Sequence, residues 1–206
     1  DRLEERIKKA ARKLDIYLID EEGQLSHEGQ PVSRRDIHPD YFWIHSELLH
    51  SPVLKTYFTL MQECQNVKWL HTINTGLDKG PYLELLRRGI RISNNHSQAI
   101  AIAEFVMGNV LSHFQNLPDY ADKQQKGVWK YRPFREIYHS RWLIIGFGHI
   151  GHQIARRAKG FGVHITAVRR GKRDEGLADQ VLSLDSMGDS LKAADVVVLA
   201  CGSNES

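Results

Sequence analysis

The chain has 206 residues, 41% hydrophobic and 26% charged, a globular composition that excludes a disordered or fibrous protein. Its net charge of +3 sits in short runs (Arg34-Arg35, Arg87-Arg88, Arg156-Arg157, Arg169 to Arg173) rather than in the broad basic, aromatic-studded face that nucleic acid requires. No apolar run reaches the ~18 residues of a membrane-spanning helix, and two dispersed cysteines, Cys64 and Cys201, form neither a disulfide framework nor a zinc site. Both thiols are expected to be buried, in a soluble, cytoplasmic protein with no nucleic-acid or membrane partner.

Leu3, Ile7, Ala10, Ala11 and Leu14 recur at helical spacing over residues 1–13. A short strand is expected at 16–19, then a loop over 20–39, where Gly23, Gly29 and Pro31 punctuate polar sequence. Residues 41–45 read as a buried strand. Ser51-Pro52 opens a helix running to Gln62, with proline in its first turn. A strand over 67–73 leads into Asn74-Thr75-Gly76-Leu77-Asp78; a helix over 82–88 closes on Gly89, and a brief strand follows at 90–93. A long apolar helix over 99–117, stopped by Pro118, is expected to be buried on most sides. A polar helix with Gln124 and Gln125, then a loop through Trp129 and Pro133, precede the glycine-rich segment. Strands at 180–184 and 196–201 flank a helix at 186–193. This alternation implies parallel sheets with helical crossovers. The expected domain boundary lies near Ser97, giving domains 1–97 and 98–206.

The strongest chemical signal is the stretch in which Trp142-Leu143-Ile144-Ile145 enters Gly146-Phe147-Gly148-His149-Ile150-Gly151, followed by a helix and a second apolar run at 163–168. Strand, glycine turn, helix and strand within about 30 residues is the context a dinucleotide fingerprint requires. Gly146 permits the tight turn, Gly148 lets backbone approach a diphosphate, and Gly151 lets helix and strand pack closely. The helix N-terminus offers unpaired N–H groups to the phosphates. At the tip of the second strand, where an acid normally binds the ribose 2′-hydroxyl, the chain carries Arg169 and Arg170, followed by Lys172 and Arg173. A cation there suits a 2′-phosphate, so NADP(H) is preferred over NAD(H); a solvated basic turn is the competing reading.

Taken together, VKWLHTINTGLD (67–78), RRGIRISNNHSQAIAIAEFVMGNVL (87–111), the Gln/Trp segment to Trp129 and the glycine fingerprint with FGVHITAVRR resemble the D-isomer-specific 2-hydroxyacid dehydrogenase family, which includes glyoxylate/hydroxypyruvate reductases. The resemblance implies an α/β protein of two Rossmann-like parallel-sheet domains: a flavodoxin-like substrate domain and the first half of a dinucleotide-binding domain. It implies hydride transfer between nicotinamide and a small 2-keto or 2-hydroxy acid, and a homodimer meeting through the long helix and the region from Trp129 to Phe134. By the same resemblance, Asn74, Thr75 and Gly76 offer backbone N–H groups to the substrate carboxylate; an ordinary turn with Asp78 as helix N-cap is the alternative. The cofactor set is Gly146, Phe147, Gly148, His149, Ile150, Gly151, Arg169, Arg170, Cys201 and Gly202. The family's catalytic arginine, acid and histidine lie beyond the strand ending here at Cys201. No catalytic residue is therefore assigned, and the chain reads as an inactive fragment of a longer enzyme. The family's helix acid, Glu104, reads as a structural hydrogen-bond partner within the linkage between domains. Many relatives carry a glycine at or near Ser97 and one more residue than SNNHSQAIAIAE. A nucleotide-sensing relative that acts through protein partners is the alternative function; a formate or adenosylhomocysteine-type relative fits the basic turn less well.

Overall fold

In a computed structural model of the protein, residues 5–7, 9, 14–74, 76–77, 80–171 and 176–202 are described. Most of the expected first helix lies outside them, although residues 5–7 are helical. The chain divides into two compact units, Asp1–Asn95 and His96–Ser206.

The first unit begins with a small antiparallel sheet of β1 (Tyr17–Ile19), β2 (Leu25–His27) and β3 (Gln30–Pro31). The loop expected over 20–39 is therefore partly a β-meander. Gly23 turns the chain at φ 80°, and Glu28 and Gly29, at φ 49° and 77°, join β2 to β3. Two consecutive positive φ values make the two-residue turn whose twist matches a hairpin. The same glycines that signalled a loop are the turns of a sheet, and Pro31 ends it where a missing N–H is harmless.

A parallel sheet follows, of β4 (Tyr41–Trp43), β5 (Trp69–Thr72) and β6 (Arg91–Asn94), in that order. The register aligns Phe42 with Leu70 and Leu70 with Ile92, so these three share one face. That face packs in a core with α2 (Val53–Glu63) and α3 (Pro81–Arg87), where Met61, Leu70 and Leu85 are fully buried. A short helix not expected from the sequence, α1 (Ser46–His50), precedes α2. Tyr57 of α2 donates to the Trp43 carbonyl and accepts from the Trp43 N–H, both at 3.0 Å, closing the edge of β4. Burial pushes the Tyr57 phenol up to about 12, against the Trp43 hydrogen bond, which lowers it.

The second unit opens with α4 (Gln98–Phe114) and α5 (Leu117–Gln125). The long helix ends before Pro118: Asn116 takes φ 56° and breaks it, and Pro118 stands in the first turn of α5. Proline here starts a helix rather than stopping one, because its fixed φ suits the first turn and its missing N–H is not needed there. Nor is α4 buried on most sides. Ala99, Ala103, Met107 and Phe114 form one buried stripe, whereas Ile100 and Phe105 are exposed. Then come β7 (Arg141–Ile145), α6 (His149–Lys159), β8 (His164–Val168), β9 (Gln180–Leu182), α7 (Gly188–Ala193) and β10 (Val196–Leu199). The sheet is parallel throughout, ordered β10-β7-β8-β9. Gly151, Ile154, Ala155 and Ala158 form the buried face of α6, at the spacing an amphipathic helix needs.

Candidate functional site

In this sheet the chain runs outward from β7 through β8 to β9, then returns to place β10 on the other side of β7. Strand order therefore reverses between β7 and β10, and an open parallel sheet binds ligands in the crevice at such a reversal, beyond the carboxyl ends of its strands. The glycine turn stands there, carried by the buried run Trp142, Leu143 and Ile144.

Its three glycines meet three different surroundings. Gly146 has φ 94°, and a Cβ there would lie 2.5 Å from the Cys201 nitrogen and 2.7 Å from the Ala200 carbonyl oxygen. Both backbone conformation and the passage of the chain after β10 demand glycine. Its N–H donates to the Val168 carbonyl at 2.9 Å, holding the turn against β8. A Cβ on Gly151 would come within 2.5 Å of the Gly146 carbonyl oxygen, so the helix start is pressed onto the turn. Gly148 is different: no atom lies within 4 Å of the place its Cβ would take. That open space, beside the first turn of α6 and its unpaired N–H groups, is a cradle a side chain would begin to fill, and a dinucleotide's diphosphate fits it.

The neighbouring residues divide by exposure. Phe147 is buried and its ring packs near His152 at 4.4 Å, so only its backbone faces the turn. Ile150 is half-buried and packs against the core. His149 is exposed and stacks on His96, with ring centroids 3.5 Å apart. Arg169 is half-buried with its N–H on the Leu182 carbonyl at 3.1 Å, and Arg170 is exposed. Lys172 and Arg173 lie outside the described residues. Cys201 and Gly202 are exposed. For Cys201 this corrects the expected buried thiol: β10 ends at Leu199, so Cys201 has already left the sheet for the crevice rim. Cys64 is buried; burial and the Glu63 charge push its thiol up, against the lowering effect of Arg88.

In the first unit, Asn74 follows the carboxyl end of β5. Its N–H donates to Thr72 Oγ1 at 3.2 Å, its side-chain amide donates to the Tyr82 hydroxyl at 2.8 Å, and its carbonyl accepts from Asn94 Nδ2 at 3.1 Å. The Asn74 N–H expected to face a carboxylate is thus engaged within the loop. Gly76 is exposed, and Thr75 and Asp78 lie outside the described residues. Sequence reasoning missed Thr72, Tyr82 and Asn94. No sequence signal marked them: Thr72 and Asn94 end adjacent parallel strands, and only the register of those strands pairs them.

Glu104 accepts from Arg157 Nη2 at 3.0 Å, tying α4 to α6. It is a structural partner, but its carboxylate is 63% exposed rather than buried. Among the described residues no three His, Cys, Asp or Glu side chains cluster as a metal site, and no helix is long and apolar enough to cross a membrane. A cavity of about 270 Å³, lined by Arg141, Trp142, His164, Gln180 and Ser190, lies toward the amino ends of β7 to β9, away from the glycine turn.

Residues 107–206 match a family model described as D-isomer specific 2-hydroxyacid dehydrogenase, NAD binding domain. A glyoxylate reductase from Thermococcus kodakarensis is 32% identical over 137 residues, covering 61% of this chain and 40% of that protein. A hydroxypyruvate reductase from Thermotoga maritima is 26% identical over 143 residues, covering 68% of this chain and 46% of that protein. The matched stretches thus span less than half the length of these curated relatives. Among solved structures, a D-isomer specific 2-hydroxyacid dehydrogenase family protein from Aeromonas salmonicida superposes with a TM-score of 0.62 at 22% identity, covering 82% of this chain and 65% of that one; this likeness concerns the fold.

Proposed function

Since residues 107–206 match the NAD binding domain of the D-isomer specific 2-hydroxyacid dehydrogenases, we propose that the chain belongs to that family and that its whole protein is a homodimeric, cytoplasmic oxidoreductase that reduces a small 2-keto acid to the 2-hydroxy acid, and the reverse. The observation that carries this reading is the cradle at Gly148, bounded where Gly146 meets the backbone after β10 and Gly151 meets the Gly146 carbonyl.

In this reading the backbone of Gly146, Phe147, Gly148, His149, Ile150 and Gly151 holds the diphosphate of the cofactor, with Cys201 and Gly202 forming the facing rim. Bound nicotinamide supplies or accepts the hydride. Arg169 and Arg170, at the tip of β8, hold a ribose 2′-phosphate, which makes NADP(H) the preferred coenzyme and NAD(H) the weaker one. The loop at Asn74, Thr75 and Gly76 orients the substrate carboxylate. Since Asn74 gives its own N–H to Thr72, Gly76 is the donor among the described loop residues. The work of these residues is positioning: the second unit holds the diphosphate and the first holds the carboxylate. The arginine and histidine that polarise and protonate the carbonyl are not assigned within these 206 residues.

The test is to supply the full-length protein with NADPH or NADH and glyoxylate or hydroxypyruvate, and to follow nicotinamide absorbance. Turnover with NADPH favoured is expected. No turnover on any short 2-keto acid overturns the reading.

A further inference from the structure

Thr72 is fully buried and Tyr82 is 6% exposed, and buried hydroxyls of this kind are held in place by hydrogen bonds. Both oxygens are satisfied at one point, the start of the loop after β5. The Tyr82 hydroxyl lies 3.3 Å from Thr72 Oγ1 and accepts from the Asn74 amide, while Thr72 Oγ1 accepts from the Asn74 N–H. From the neighbouring strand, Asn94 Nδ2 donates to the Asn74 carbonyl.

Asn74 is therefore gripped at its N–H, its carbonyl and its side chain, by residues of β5, β6 and α3 respectively for the first, second and third of these. Contacts at all three points narrow the φ and ψ open to Asn74. The Tyr82 ring is held in turn, edge-to-face against Phe58 with centroids 5.3 Å apart. The anchoring is thus continuous from the core of the first unit to the loop.

Hydrogen bonds to a carboxylate are strong but directional, and they weaken steeply as the donor turns away. We propose that Tyr82 and Asn94 are positioning residues for the substrate. They act through Asn74 to aim the backbone that receives the carboxylate, and so set KM for the 2-keto acid. This rests on the reading of the loop as the carboxylate site. Neither residue touches substrate, and the hydride step and the cofactor cradle are independent of them.

The experiment compares full-length wild type with Asn94→Ala, Asn94→Asp and Tyr82→Phe in steady-state reduction of glyoxylate or hydroxypyruvate, with cofactor affinity measured in parallel. Asn94→Asp keeps the shape but puts an acceptor where a donor stood, and Tyr82→Phe keeps the ring; these two carry the test if the alanine variant does not fold. Loss of one hydrogen bond in the grip is expected to raise KM about tenfold. Asn94→Asp is expected to be worse than Asn94→Ala, kcat to stay within about threefold, and cofactor affinity to be unchanged. Arg88→Ala, which removes a structural contact elsewhere in the unit, is expected to lower thermal stability and leave KM alone. Unchanged KM in the folded variants overturns the proposal, as does a fall in kcat at constant KM. A wild type inactive on every short 2-keto acid overturns the substrate reading, and this proposal with it.

Discussion

Gly151 and Gly146 touch so closely that a single carbon added to Gly151 would stand 2.5 Å from the Gly146 carbonyl oxygen. Gly148, between them in sequence, has open space on its side-chain face. The same substitution therefore has two different outcomes. Gly151→Ala forces helix and turn apart and is expected to cost about 1–3 kcal/mol of stability, the usual penalty of overpacking. Gly148→Ala meets no atom and needs no unusual backbone, since its φ is −94°. It is expected to leave the thermal midpoint unchanged while weakening cofactor binding at least about tenfold, as one charge-assisted hydrogen bond to phosphate is displaced. Circular dichroism and a fluorescence titration of the full-length protein separate the two effects. Wild-type affinity in Gly148→Ala would show that the diphosphate sits elsewhere.

Coenzyme choice is predicted to reside at the tip of β8. Arg169→Ala removes a guanidinium from the place where a 2′-phosphate would lie and leaves the glycine turn intact. NADPH affinity should fall about tenfold or more, on the scale of one charge-assisted hydrogen bond, with NADH affinity unchanged. Equal losses for both coenzymes would show that Arg169 serves a feature they share, or the fold itself.

How much of this was readable in the sequence follows from how local each feature is. The glycine turn was readable because its spacing, and the strand and helix that adjoin it, are local, although the backbone that presses on Gly146, at Ala200 and Cys201, comes from far along the chain. The order of strands and helices was readable for the same reason. The β-meander was not: Gly23 and Gly29 mark turns in loops and hairpins alike, and nothing in Glu28 announces a positive φ. Pro118 misled because proline both ends helices and begins them, and Asn116 makes the difference. The grip on Asn74 was invisible because Asn94 reaches it from twenty positions away in sequence, and only strand register brings the two together.

Acid should loosen the second unit through two aspartates that stitch its sheet. The Arg141 N–H, at 2.7 Å, and the Arg135 guanidinium, at 2.6 Å, hold the Asp195 carboxyl below the usual carboxylate range, with burial opposing them. At Asp179 burial works to raise the value, but the Ile165 N–H and Lys159 outweigh it and hold the carboxyl low. A carboxyl that is more acidic folded than unfolded stabilises fully above its unfolded value, near pH 4. That stability is lost as pH falls through the lower folded value. Denaturant melts between pH 7 and pH 3 are expected to show wild type weakening below about pH 4. Asp195→Asn should start lower at pH 7 and vary less with acid. Parallel pH profiles for the two proteins would remove Asp195 from this role.

Trp129, Tyr131 and Phe134 are 100%, 82% and 55% exposed, and Phe105 and Ile100 stand out from α4. Exposed apolar side chains of this size offer a contact surface, and the proposed homodimer would cover them. Sedimentation of the full-length protein is expected to give a dimer. Replacing Trp129 and Phe134 together by serine should shift it toward monomer. A wild-type monomer at high concentration, or a dimer indifferent to that double change, would exclude this surface from self-association.

Arg88 closes the end of α2. Its guanidinium donates to the carbonyls of Met61 at 3.2 Å, Gln62 at 3.1 Å and Cys64 at 2.7 Å, groups at the helix end that would otherwise lack partners. A cation there also opposes the partial negative charge that aligned peptide dipoles accumulate at a helix C-terminus. Arg88→Ala leaves these carbonyls to water and is expected to lower the stability of the first unit by about 1–2 kcal/mol. For a unit of this size that corresponds to a fall of several degrees in Tm. Arg88→Lys keeps the charge but cannot span three carbonyls with a planar fork, so it should recover only part of the loss. Differential scanning calorimetry of the three proteins checks the ranking. Full recovery by lysine would mean that charge alone, rather than the three-point contact, holds the helix end.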